Sequence, residues 1–179
     1  NYPQICPDGS GGAIITWQDQ RNAGNYDIYA QRVNSAGTVQ WTANGVAICT
    51  TGTSQDYPQI CADGSGGAII AWMDYPGTDM ASADIYAQRV NSAGAVQWPA
   101  NGVAVCAASG SQGYPYWYNT SILPDGSGGA ITTWQDARSG SANADIYAQR
   151  VFSNGSLTAP AIPPTVTTDN ATSVTSSSA

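Results

Sequence analysis

The chain predicts an all-β fold of three tandem, four-stranded antiparallel sheet units. Three observations predict it. The turn Asp8-Gly9-Ser10-Gly11-Gly12 recurs at Asp63 to Gly67 and at Asp125 to Gly129, and Asp27-Ile28-Tyr29-Ala30-Gln31-Arg32-Val33 recurs unchanged at Asp84 to Val90 and Asp145 to Val151. The first two copies are offset by 55 and 57 residues and the last two by 62 and 61. A period of that length is the mark of a repeat architecture, in which each unit hides its apolar face only against a neighbour. Composition supplies the third observation. There is no Lys, Glu or His, all five basic residues are Arg and all twelve acidic residues are Asp. Long helices are disfavoured by that inventory, whereas Val, Ile, Thr, Tyr and Trp between Gly/Asn/Asp/Ser clusters favour short strands and tight turns.

Each element of the first repeat has a local cause. Tyr2 to Cys6 is extended, because the residue before Pro3 is pushed out of the helical region. Pro7 to Gly12 is a turn, in which Pro sets φ and Gly supplies positive φ. Ala13 to Gln18 is a strand with Ala13, Ile15 and Trp17 on one face. Asp19 to Tyr26 is a polar loop, Asp27 to Val33 the third strand, and Asn34 to Gly37 a turn. A fourth strand is expected over Val39 to Trp41 and Gly45 to Cys49, with a break at 43–45. The repeats run 1–55, 56–112 and 113–160, and a Ser/Thr-rich tail, read as a linker or donor strand, fills 161–179.

Four short antiparallel strands per repeat describe a β-propeller blade. The run of Pro, an Asp-Gly turn, an apolar strand, an Asp-x-Arg loop and Asp-Ile-Tyr resembles the propeller repeats of TolB-like proteins over residues 1–152. These repeats are longer, and their fourth strands carry Trp41 and Trp98. The Asp-Gly-Ser-Gly-Gly turn is similar to the Asp-box of sialidase-like propellers, though the spacing to Trp17 departs from it. The tail resembles the opening strand of fibronectin type III-like modules. These resemblances imply a bacterial secreted or surface protein. Three blades do not close a ring, so the expected partners are further blades of a longer parent chain or other copies of this one, as a ring or an open fibre.

The Asp/Arg set Asp19, Asp27, Arg32; Asp74, Asp84, Arg89; and Asp136, Asp145, Arg150 recurs in every unit, which marks it as structural ion pairs rather than chemistry. Asp8, Asp63 and Asp125 are Asx-turn residues by type, with Ca²⁺ as the alternative ligand. Cys6 with Cys49 and Cys61 with Cys106 are the expected disulfides, because both positions vanish together in the third repeat; four buried thiols are the alternative. Tyr114, Tyr116, Trp117 and Tyr118 form a non-repeated aromatic run suited to sugar stacking or an interface, and the loop Tyr75 to Met80 replaces the Gln20-Arg21 loop of the first repeat. Asn119, Asn154 and Asn170 head glycosylation sequons.

A net charge of −7 argues against nucleic acid and anionic membranes, and no apolar run is long enough to cross a bilayer. Without His or Lys there is no Ser-His pair, His metal site or Schiff-base lysine. The expectation is therefore a non-catalytic, cofactor-free structural or adhesive module, extracellular or on a cell surface, with a carbohydrate-binding or carbohydrate-processing propeller as the alternative.

Overall fold

The computed structural model describes residues 1–22, 24–77, 82–112, 120–138 and 144–157. They form three antiparallel sheets and, among the described residues, no helix. The first sheet is β1 (Gln4–Pro7), β2 (Ala13–Asp19), β3 (Asp27–Val33) and β4 (Val46–Cys49), hydrogen-bonded in that order. The second repeats it as β5 (Ser54–Ala62), β6 (Ala68–Tyr75), β7 (Asp84–Val90) and β8 (Val103–Cys106). The third has β9 (Ser121–Pro124), β10 (Ala130–Asp136) and β11 (Asp145–Val151). The expected fourth strand of the third unit lies outside the described residues. In the first two sheets the expected early half of the fourth strand, Val39 and Val96, makes only an isolated bridge to Val33 and Val90.

The register is the same in each unit. Trp17 faces Tyr29, Trp72 faces Tyr86 and Trp134 faces Tyr147 across the second and third strands. Neighbouring sheets meet through β5, which packs on β1 and β2 of the first sheet and on β9 of the third. Alternation then divides each sheet into two faces. Ile14, Ile28 and Ala30 pack against Ala68, Ile70 and Trp72 in one apolar cluster between the first and second sheets. Ile69, Ala71, Met73 and Ile85 pack against Ala130, Trp134 and Tyr147 in the next. Each buried side chain of this size contributes about 1.5–3 kcal/mol, so the sheets are held by their neighbours rather than by a core of their own.

Two faces have no neighbour among the described residues. On the first sheet Ile5 is 66% exposed; on the third, Leu123 is 70% and Ile146 56% exposed.

The expected disulfides are not formed, and all four cysteines are thiols. The sheet order gives the reason. Cys6 and Cys49 sit on opposite edge strands, as do Cys61 and Cys106. Three strand spacings, about 14 Å, separate such edges, whereas a disulfide needs Cα atoms within about 7 Å. Cys6, Cys49 and Cys61 are buried instead. Burial pushes the thiols of Cys6 and Cys49 up to about 11 and that of Cys61 to about 12.

Candidate functional site

The Asp-Gly turn is the junction on which each sheet is hung. Asp8 Oδ1 accepts the backbone N–H groups of Ser10 and Gly12, both at 2.8 Å, an Asx-turn arrangement. Gly12 is required there, since a Cβ would stand 2.2 Å from the Val33 carbonyl oxygen. Asp8 Oδ2 takes Arg32 Nε and Nη2, each at 2.9 Å. The Ser10 N–H, then Arg32 and the Gly12 N–H, hold the Asp8 carboxyl below its ordinary value against burial. The same fork joins Arg89 to Asp63 and Arg150 to Asp125.

The repeated arginines thus pair with Asp8, Asp63 and Asp125, which corrects the expected partners. Asp19 pairs with Arg21 and Asp136 with Arg138. Asp27 accepts from Asn22 at 2.7 Å, Asp74 accepts from Gln55 at 3.0 Å, and Asp145 is exposed. The second carboxylate oxygen of each turn is taken by an arginine, Arg32, Arg89 or Arg150. No group of three or more candidate ligands forms a metal site among the described residues.

The same arginines reach into the next sheet. Arg32 Nη1 donates to the Ser92 carbonyl oxygen at 3.1 Å, and Trp41 Nε1 donates to the same oxygen at 3.0 Å. Arg89 and Trp98 repeat this on the Ser153 carbonyl at 3.2 and 3.0 Å. Each indole lies on a glycine of the receiving turn: a Cβ on Gly94 would be 2.8 Å from Trp41 Cγ, and one on Gly155 2.9 Å from Trp98 Cγ. Arginine and tryptophan form a hook, and the Ser-x-Gly turn of the following sheet is its socket. A cleft lies beside each hook, about 450 Å³ along Asp8, Arg32, Ser65 and Ser92 and about 470 Å³ along Asp63, Arg89, Ser127 and Ser153. Sequence reasoning noticed Trp41 and Trp98 but not their seats; the available signal was Gly37, Gly94 and Gly155 recurring after each Arg.

At the inner edge the Gln18 amide donates to Asp56 Oδ1 and accepts the Tyr57 N–H at 3.2 Å. Asp56 is 7% exposed, and burial raises its carboxyl to about 6. Tyr2 and Tyr57 meet edge to face at 4.9 Å and both hold positive φ, 48° and 55°. Left-handed geometry is strained for aromatic residues and clusters at working surfaces. No motif in the sequence announced Asp56, because its burial comes from a strand of the preceding repeat.

The aromatic run Tyr114, Tyr116, Trp117 and Tyr118 lies outside the described residues, as do Asn119, Asn170 and the Thr78 to Met80 part of the irregular loop. Tyr75 is buried. Asn154 is exposed, and its Oδ1 accepts from the Ser156 N–H at 3.0 Å within a turn.

No protein-family model matches the chain, and no curated protein matches it. Its fold is similar to that of solved structures. An α-L-arabinofuranosidase from Fusarium graminearum, solved with an iminosugar inhibitor, superposes with a TM-score of 0.53 at 14% identity over 90% of this chain and 47% of that one. An endo-1,4-β-xylanase from Bacteroides thetaiotaomicron gives a TM-score of 0.49 at 9% identity over 91% of this chain and 60% of that one. The chain spans about half the length of the arabinofuranosidase. At these identities the likeness is one of fold.

Proposed function

We propose that this chain is a non-catalytic structural module of an extracellular or cell-surface repeat protein, extended by docking further blades of the same kind on its two open faces. One observation carries the reading: the hook and socket join sheets twice within the chain, a further socket stands unfilled at Gly37, and the third sheet keeps the arginine half of the hook, Arg150, with Ala159 in the sequence position of Trp41 and Trp98. Gly37, the counterpart of Gly94 and Gly155, has no atom within 4 Å of its would-be Cβ. At the other end Arg150 repeats the fork to Asp125, beside the exposed Leu123, Ile131 and Ile146. Head-to-tail addition sets that apolar face against Ile5, Ile15 and Trp17 of a second copy, with Arg150 directed to the Ser35 carbonyl. Contacts of this heterologous kind give a ring if rotation closes and a fibre if it does not. The absence of His, Lys and Glu fits a module that performs no acid–base chemistry.

Native mass spectrometry and negative-stain imaging at increasing concentration test the reading. Closed rings or filaments are expected, and Leu123→Asp combined with Ile131→Asp should abolish them. Monodisperse monomers at all concentrations would remove the self-docking reading. A second reading rests on Asp56: a buried carboxyl beside the Tyr2–Tyr57 pair is the kind of surface that holds a sugar ring, and the fold is shared with a protein described as an arabinofuranosidase. Glycan-array binding lost in Tyr57→Ala would support it; no binding on the array would end it.

A further inference from the structure

Two of the three sheets carry a caged arginine, and among the described residues the second sheet carries the frame without one. In the first sheet Arg21 Nη2 lies 2.5 Å from Asp19 Oδ2 and 2.9 Å from the Asn44 carbonyl oxygen, with Cζ 3.8 Å above the centre of the Tyr29 ring. In the third sheet Arg138 lies 2.5 Å from Asp136 and 4.1 Å above Tyr147. Carboxylate below and aromatic face beside is a strong setting for a guanidinium.

The second sheet builds the same frame. Tyr86 stacks on Trp72 at 6.3 Å and 25°, as Tyr29 does on Trp17 at 6.5 Å and 25°. Asp74 follows Trp72 by two residues, as Asp19 follows Trp17. Asn101 holds φ 64°, matching Asn44 at 68°. The residue at the arginine position is Pro76, which is exposed.

Three consequences are visible. The Trp72 indole N–H is buried and has no hydrogen-bond partner among the described residues, whereas Trp17 and Trp134 donate to their aspartates at 2.9 and 3.0 Å. Tyr86 is half-buried where Tyr29 and Tyr147 are covered. Among the described residues, Asp74 Oδ1 accepts from the neutral groups of Gln55 and Thr53 and from no cation.

We propose that the Asp74–Tyr86–Asn101 frame of the second sheet is a receptor site for a guanidinium group supplied from outside this chain. The origin follows from the charge inventory. The chain has five arginines and no lysine, and all five arginines are already paired with aspartates. A second copy therefore has no uncommitted cationic side chain to offer. The ligand is an arginine of a different polypeptide or free arginine, and this assignment is independent of blade docking.

The test is a titration with N-acetylarginine amide, free arginine and the neutral isostere N-acetylcitrulline amide, read by the NMR shift of the Trp72 indole N–H. A saturable shift is expected with an arginine ligand and none with citrulline. The capped amide binding in preference to the free amino acid assigns the site to a polypeptide arginine; the reverse assigns it to free arginine. Asp74→Asn should weaken binding at least about tenfold, Asp145→Asn should leave it unchanged, and Pro76→Arg should block it by filling the cage. Pro76 is exposed, so that variant remains a test even if Asp74→Asn fails to fold. No saturable shift, an equal response to citrulline, or unchanged binding in Pro76→Arg would overturn the proposal.

Discussion

The substitution Asp56→Asn isolates the largest electrostatic cost identified between the first two sheets. Asp56 is 7% exposed, and its one described hydrogen bond comes from the neutral Gln18 amide. Burial raises its carboxyl from 3.8 to about 6. Each unit corresponds to about 1.36 kcal/mol, so the shift amounts to about 3 kcal/mol. The sign follows from linkage. A carboxyl raised on folding favours the neutral form, so its contribution is full below about 3.8 and is lost as pH rises through about 6. An asparagine at this position would keep an oxygen for the Gln18 amide without acquiring charge. The variant should match the wild type near pH 4 and exceed it by about 2–3 kcal/mol at pH 7 and above. Asp8, Asp19, Asp125 and Asp136 are lowered and work oppositely, losing stability as pH falls through their folded values; they are common to both proteins and cancel in the difference. Urea denaturation of both proteins from pH 4 to pH 8 measures it. A stability difference that does not change with pH, or a variant weaker than wild type at pH 7, would refute the reasoning.

Three other outcomes are expected. Gly94→Ala and Gly37→Ala impose the same left-handed strain, φ 84° and 76°, but only the first forces a Cβ onto Trp41. Thermal melts should show Gly94→Ala the weaker by at least about 1 kcal/mol, and equal losses would show that the indole is not seated there. Arg89→Ala leaves the Asp63 carboxylate, 1% exposed, without its cation; a loss of about 3 kcal/mol or more is expected by chemical denaturation, and a loss under about 0.5 kcal/mol would count against the fork. Alkylation after unfolding without reductant should add four labels by mass, and in the native protein Cys6, Cys49 and Cys61 should label slowly below pH 9, because burial covers these thiols and pushes them up to about 11 or 12. Recovery of two disulfides instead would contradict the sheet order.

Much of the fold was legible because its causes are local. Turn chemistry at Asp8 to Gly12 and period-two alternation through Ala13 to Gln18 need only near neighbours in the chain, and triplication repeats the message. The candidate sites were legible only in part. That Arg32 belongs with Asp8 rather than Asp19 depends on antiparallel register, which sets Arg32 opposite Ile14 beside the turn. The cysteine pattern pointed to bridges within each repeat, but recurrence cannot tell adjacent strands from opposite edges.

Sequence alone determined the repeat, the strand and turn chemistry, and the lack of His, Lys and Glu, since these are properties of residues and their spacing. Tertiary structure decided which faces meet, which aspartate loses its water, and which arginine cage stands without its arginine. Those outcomes depend on distances between residues far apart in the chain, and burial and charge act through space rather than along the backbone.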